Sequence, residues 1–238
     1  MVPEKLIADF VDRLRGAAGA NLRSVILYGS AARGEFVAEH SDINLLGVLG
    51  EISFGVVAGL APVVEWWARQ KHRPPLLMTL NELQRGADVF SIEFLDMKRH
   101  YSVLWGEDVL NTLDVPMKFH RAQVEYELRE KTILLRQSLL TAAGDKNEKW
   151  DLLMRSAPAF ATLTRHALIA LGEPAAAHKR EAVTRLSAKA GIDLGAFTQV
   201  FDLREGKAER GSFEIDELFA RYLKAVEALT AAVDVMLD

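Results

Sequence analysis

Leu6, Ile7, Phe10, Val11 and Leu14 recur every three or four residues, so the chain opens on an amphipathic helix over residues 3–15, with Pro3 suited to its first turn. A Gly-Ala-rich turn over 16–21 follows. The run 24–28, Ser-Val-Ile-Leu-Tyr, is short, apolar and β-prone, and breaks at Gly29-Ser30; it predicts a buried strand. The same reasoning predicts a strand over 43–49, a helix over 54–69, a third strand over 75–80 and a fourth over 88–94. Thr79, with Glu82 three residues on, is placed to cap a short helix. The first half is therefore α/β, a mixed sheet with flanking helices.

Beyond Pro116 strand-like alternation nearly vanishes. Long helical periodicity covers 118–142, 148–171, 175–190 and 215–237, which predicts an all-α helix bundle. Gly172-Glu173-Pro174 and Gly191-Ile192-Asp193 read as stops, and Pro158 as a kink in the second helix. The change of pattern divides the chain into domains at 1–115 and 116–238. Trp66 and Trp67 are adjacent on a helix and diverge by roughly 100°, so one of them is available to the bundle or to another copy of the chain, which leaves a homodimer open.

Composition narrows the function classes. Of 238 residues, 50% are hydrophobic and 26% charged, as in ordinary globular proteins. The net charge of -4 supplies no basic field for a long nucleic-acid backbone, so long DNA and RNA are excluded as partners. Cysteine is absent, so any metal must use oxygen or imidazole ligands. No apolar run reaches the roughly 18 residues of a membrane span, and the expected location is the cytoplasm.

The candidate chemistry lies in Leu27-Tyr28-Gly29-Ser30-Ala31-Ala32-Arg33-Gly34 and, a short loop later, Ser41-Asp42-Ile43-Asn44-Leu45-Leu46. Gly29 lets a ligand approach the backbone, and Ser30 offers a hydroxyl and an amide where the chain turns. Arg33, within one turn of them, has a planar fork suited to phosphate oxygens. Asp42 and Asn44 are two apart on a strand and share a face, so two oxygen ligands converge. Gly-Ser alone is usually an ordinary turn; its pairing with Asp42 makes it informative.

A strand ending in Gly-Ser, then Ala-Arg-Gly, then a Ser-Asp-x-Asp strand about a dozen residues on is the pattern that this chain resembles. It is that of the nucleotidyltransferase superfamily, in particular the small bacterial members with a helical C-terminal domain. The resemblance implies a Mg²⁺-dependent transfer of a nucleoside monophosphate from ATP or another NTP to a small hydroxylated molecule or a protein side chain. It implies that Gly29, Ser30 and Arg33 bind the nucleotide and that Asp42, Asn44 and a third acid hold the metal, with Glu93 in the third place as ligand or base. The chain departs from the pattern at Asn44, where the family has a second aspartate. An amide is neutral and offers one coordinating carbonyl, so Mg²⁺ affinity should fall. Three explanations stand: an enzyme with one strongly held metal, a nucleotide-binding or interaction module that has lost catalysis, or an introduced substitution. Related proteins also carry helical ribonuclease domains with an Arg followed four to six residues later by a His. No such pair occurs in the second half, which argues against a ribonuclease.

Overall fold

The computed structural model describes residues 2–33 and 42–237, and the chain divides into two units, residues 1–116 and 117–238. In the first, helix α1 (Glu4–Ala18) buries Ile7, Phe10, Val11 and Leu14, the apolar stripe of its sequence. Strand β1 (Leu22–Tyr28) lies at the centre of a four-stranded sheet of order β3-β2-β1-β4. It pairs antiparallel with β2 (Asn44–Leu49) on one side and β4 (Tyr101–Gly106) on the other, while β3 (Leu76–Thr79) runs parallel to β2. The sheet is mixed, with helices on both faces.

Its central strands are apolar on both faces because both are covered. Val25, Leu27, Leu45 and Leu49 join the residues of α1, with Leu60 and Trp67 of α2 (Phe54–Arg69), in one core. The alternate residues Ile26, Leu46 and Val48 join Leu83 of α3 (Leu80–Gly86) and Phe94 and Met97 of α4 (Ser91–Arg99) in the other. Helix α3 begins with the expected capping box, Thr79 and Glu82 each accepting from the other's backbone N–H.

The strand expected over 88–94 is not there. Ser91, Phe94 and Met97 are buried at helical spacing, Glu93 stands in the first turn and Lys98 and Arg99 in the last, and this arrangement favours helix over the β-propensity of Val89, Phe90 and Ile92. The fourth strand is β4, with Leu104 inserted as a bulge between the pairs Val25–Trp105 and Ile26–Val103. The two tryptophans also differ from expectation, since both serve one core. Trp67 is fully buried 4.6 Å from Phe10, and Trp66 packs on the same cluster with Arg13 over its ring at 4.3 Å.

The second unit is helical: α5 (His120–Ala142), α6 (Lys146–Ala170), α7 (Lys179–Ala190), α8 (Gly195–Arg204) and α9 (Ile215–Leu237). Helix α6 continues through Pro158. Thr132 and Thr230 join hydroxyls at 3.0 Å between α5 and α9, and Tyr222 of α9 meets the Ser156 hydroxyl of α6 at the same distance. Buried Tyr222 also packs on Phe160 and Phe197. Helix α8 was not foreseen; its buried Phe197, Val200 and Phe201 form the stripe that specifies it. Among the described residues no helix is long and apolar enough to cross a membrane.

Candidate functional site

The Gly-Ser motif lies where β1 leaves the sheet. Tyr28 is the last paired residue, flanked by Asn44 on one side and Tyr101 on the other. Gly29 then takes φ +81°, a region that favours glycine, while its N–H still donates to His100 O at 3.3 Å. The chain turns at once, and the Arg33 N–H reaches back to Gly29 O and Ser30 O, each at 3.2 Å. Ala31 is buried, which leaves half-buried Ser30 and Arg33 on either side of it.

Asn44 comes against this turn across the ladder. A Cβ on residue 29 would lie 3.0 Å from Asn44 Nδ2, so the amide rests directly above the glycine backbone. Gly29, Ser30 and Asn44 are thus brought together at adjoining ends of β1 and β2. Ile43 is 2% exposed in the core beneath α1 and α2, so strand alternation directs Asn44 to the opposite face, that of Leu46 and Val48.

Asp42 is held elsewhere. Its Oδ2 forms an ion pair with Arg73 Nε at 3.2 Å, with both side chains well exposed. Arg73 follows the turn that ends α2, where Lys71 adopts φ 65° and Trp67 Nε1 donates to Arg73 O at 2.9 Å. His72 stacks on the Trp67 ring at 4.4 Å. Burial pushes the His72 pKa down, against an opposing pull from the Asp42 charge. Arg73 was not singled out from the sequence; the signal present there was the basic run Lys71-His72-Arg73 ahead of Pro74-Pro75.

Glu93 stands on the exposed side of α4, not on a strand, although α4 covers the sheet face toward which Asn44 is directed. On a helix Glu93 and Asp96 are three apart and share a side, which reverses the opposite-face relation that a strand would impose. Among the described residues no group of three or more His, Asp or Glu side chains gathers closely enough to hold a metal ion. The oxygen ligands expected for a metal are the Asp42 carboxylate, held by Arg73, and the Asn44 amide beside the turn. That set suits a single cation arriving with phosphate oxygens of its own and does not suit a pair of ions, whose repulsion needs several carboxylates. A separate cavity of about 480 Å³ between α1 and the sheet, lined by Arg15, Leu27, Ala31 and Trp105, contains none of Gly29, Ser30, Asp42, Asn44 or Glu93.

No protein-family model matches the chain. Sixty residues, 25% of the chain, are 38% identical to Putative protein adenylyltransferase MJ0604 of Methanocaldococcus jannaschii and cover 58% of that protein, so the chain spans a little over half of that relative's length. The crystal structure of spectinomycin adenyltransferase AAD(9) from Enterococcus faecialis, with ATP and spectinomycin, matches with a TM-score of 0.61 and 14% identity over 97% of this chain and 99% of that one. At such identity the match establishes the fold. The local sequence identity and the fold match thus both fall on proteins named as adenylyl- or adenyltransferases, and the chain shares the fold of the second, a mixed sheet followed by a helical unit.

Proposed function

We propose that the N-terminal unit binds ATP and transfers its nucleoside monophosphate to a hydroxyl group. The observation that carries the reading is the corner at Gly29, where a positive-φ glycine and a following serine turn the chain beside Asn44, leaving backbone close to whatever ligand enters. In this reading Gly29 and Ser30 receive the triphosphate and Arg33 pairs with its oxygens. Asp42 holds Mg²⁺, with Asn44 as a weak carbonyl ligand; when bound, the ion neutralises phosphate charge and aligns the α-phosphorus. The acceptor oxygen forms the new bond to the α-phosphorus as the bond to the bridging oxygen breaks, and pyrophosphate leaves. Glu93, now on α4, is the proposed base that takes the acceptor's proton. The names of the two relatives support two acceptor classes, a protein hydroxyl and a small hydroxylated molecule.

A second reading is favoured by Asn44 and the lack of an acidic triad among the described residues: nucleotide binding that persists without transfer. Calorimetric titration with each nucleoside triphosphate, with and without Mg²⁺, tests the common part. ATP binding that Ser30→Leu abolishes without unfolding supports the cradle; unchanged affinity in that variant removes it. Label transfer from α-phosphate-labelled ATP to small or protein acceptors then separates enzyme from binding module.

A further inference from the structure

Asp42, two residues before the start of β2, has a cation beside it. Arg73 Nε forms an ion pair with its carboxylate at 3.2 Å, and the same carboxylate acts electrostatically on His72. The turn bearing both bases is built into the core. The Gln70 and Lys71 N–H groups donate to Trp67 O and Ala68 O, Lys71 closes the helix end at φ 65°, and the fully buried Trp67 holds Arg73 O. The arginine is therefore aimed from a fixed base, while its side chain remains exposed. Two residues from Asp42 the chain carries the neutral amide of Asn44, which adds no negative charge for Arg73 to balance.

We infer that Arg73 is a phosphate-binding residue of this site and supplies part of the positive charge otherwise expected from metal. Without nucleotide it neutralises Asp42; when a nucleotide arrives, the guanidinium turns to the polyphosphate. The Asp42 contact is an exposed ion pair at 3.2 Å, whereas phosphate oxygens match the planar fork in bidentate fashion and carry more charge than one carboxylate. Two consequences follow from the shared partner: the site binds ATP without divalent metal, and free metal competes with Arg73 for Asp42.

The inference rests on the nucleotide reading above, so its test includes an arm that needs no nucleotide. Wild type, Arg73→Gln and Arg73→Lys are titrated calorimetrically with ATP in EDTA, with ATP in excess Mg²⁺, and with Mn²⁺ alone. Arg73→Gln should weaken ATP binding in EDTA by about tenfold, the size of one charge-assisted hydrogen bond, and by less in Mg²⁺. Arg73→Lys should retain most of the metal-free affinity. Mn²⁺ alone should bind Arg73→Gln about two to five times more tightly, as loss of an exposed ion pair allows. Equal ATP affinity of wild type and Arg73→Gln in EDTA overturns the inference, as does an equal loss with and without Mg²⁺. If wild type binds ATP in neither condition, the nucleotide reading has failed; unchanged Mn²⁺ affinity in Arg73→Gln then overturns the competition for Asp42 as well.

Discussion

Gly29→Ala tests the corner on which the site reading depends. Two costs add. An alanine at φ +81° occupies the left-handed region at about 1–2 kcal/mol, and its methyl would meet Asn44 Nδ2 at 3.0 Å, a contact that forces the amide to shift. With about 0.5–1 kcal/mol for the contact, the sum is about 1.5–3 kcal/mol, a large fraction of the stability of a domain this size. The two parts separate in a double-mutant cycle, because Asn44→Ala removes the contact and leaves the backbone strain. Gly29→Ala should therefore cost about 0.5–1 kcal/mol less in the Asn44→Ala background. Urea unfolding followed by tryptophan fluorescence suits the purpose, since Trp66, Trp67 and Trp105 lie in the first unit and only Trp150 of the four in the second. A Gly29→Ala protein within about 0.5 kcal/mol of wild type would refute the strained corner. Equal cost in both backgrounds would refute the contact with Asn44.

Asn44→Asp is nearly isosteric and adds one negative charge near Asp42. It should tighten Mg²⁺-dependent ATP binding and lower the metal-free melting temperature through like-charge repulsion, and calorimetry showing no change in Mg²⁺ dependence would mean that position 44 does not face the ion. The capping box predicts an acid-side effect. Backbone and side-chain hydrogen bonds from Thr79 pull the Glu82 pKa below its usual 4.5, so its stabilisation is fully present above 4.5 and is lost as pH falls through the depressed folded value. Glu82→Gln should flatten the pH dependence of unfolding in that window and leave neutral-pH dependence alone; an unaltered acid limb contradicts the assignment.

The fold was legible where the signal was local. Ile7, Phe10 and Leu14 mark α1, the apolar run from Leu45 to Leu49 marks a strand covered on both faces, and Thr79 with Glu82 marks the start of α3. Residues 88–94 were misread because Val89, Phe90, Ile92 and Phe94 are β-prone, and the helical spacing becomes visible only when the window extends to Met97. Helix α8 was overlooked for a related reason, as Gly195 and Thr198 dilute a ten-residue stripe. At the site, Gly29, Ser30, Asp42 and Asn44 stand out because their spacing is short. Arg73 does not, because its pairing with Asp42 spans thirty-one positions and depends on a helix ending at Lys71, which a one-dimensional pattern does not record.

The sheet's outer strands have a consequence for how copies of this chain meet. An outer strand with free backbone donors is a template for another molecule's strand, and long flat ones lead to aggregation. Here β3 has four residues and follows Pro74 and Pro75, which have no N–H to donate, while β4 is interrupted at Leu104 and ends at Gly106, packed on the Arg23 carbonyl. Neither border offers a regular ladder. By this argument the two borders are poor templates for extending the sheet from molecule to molecule.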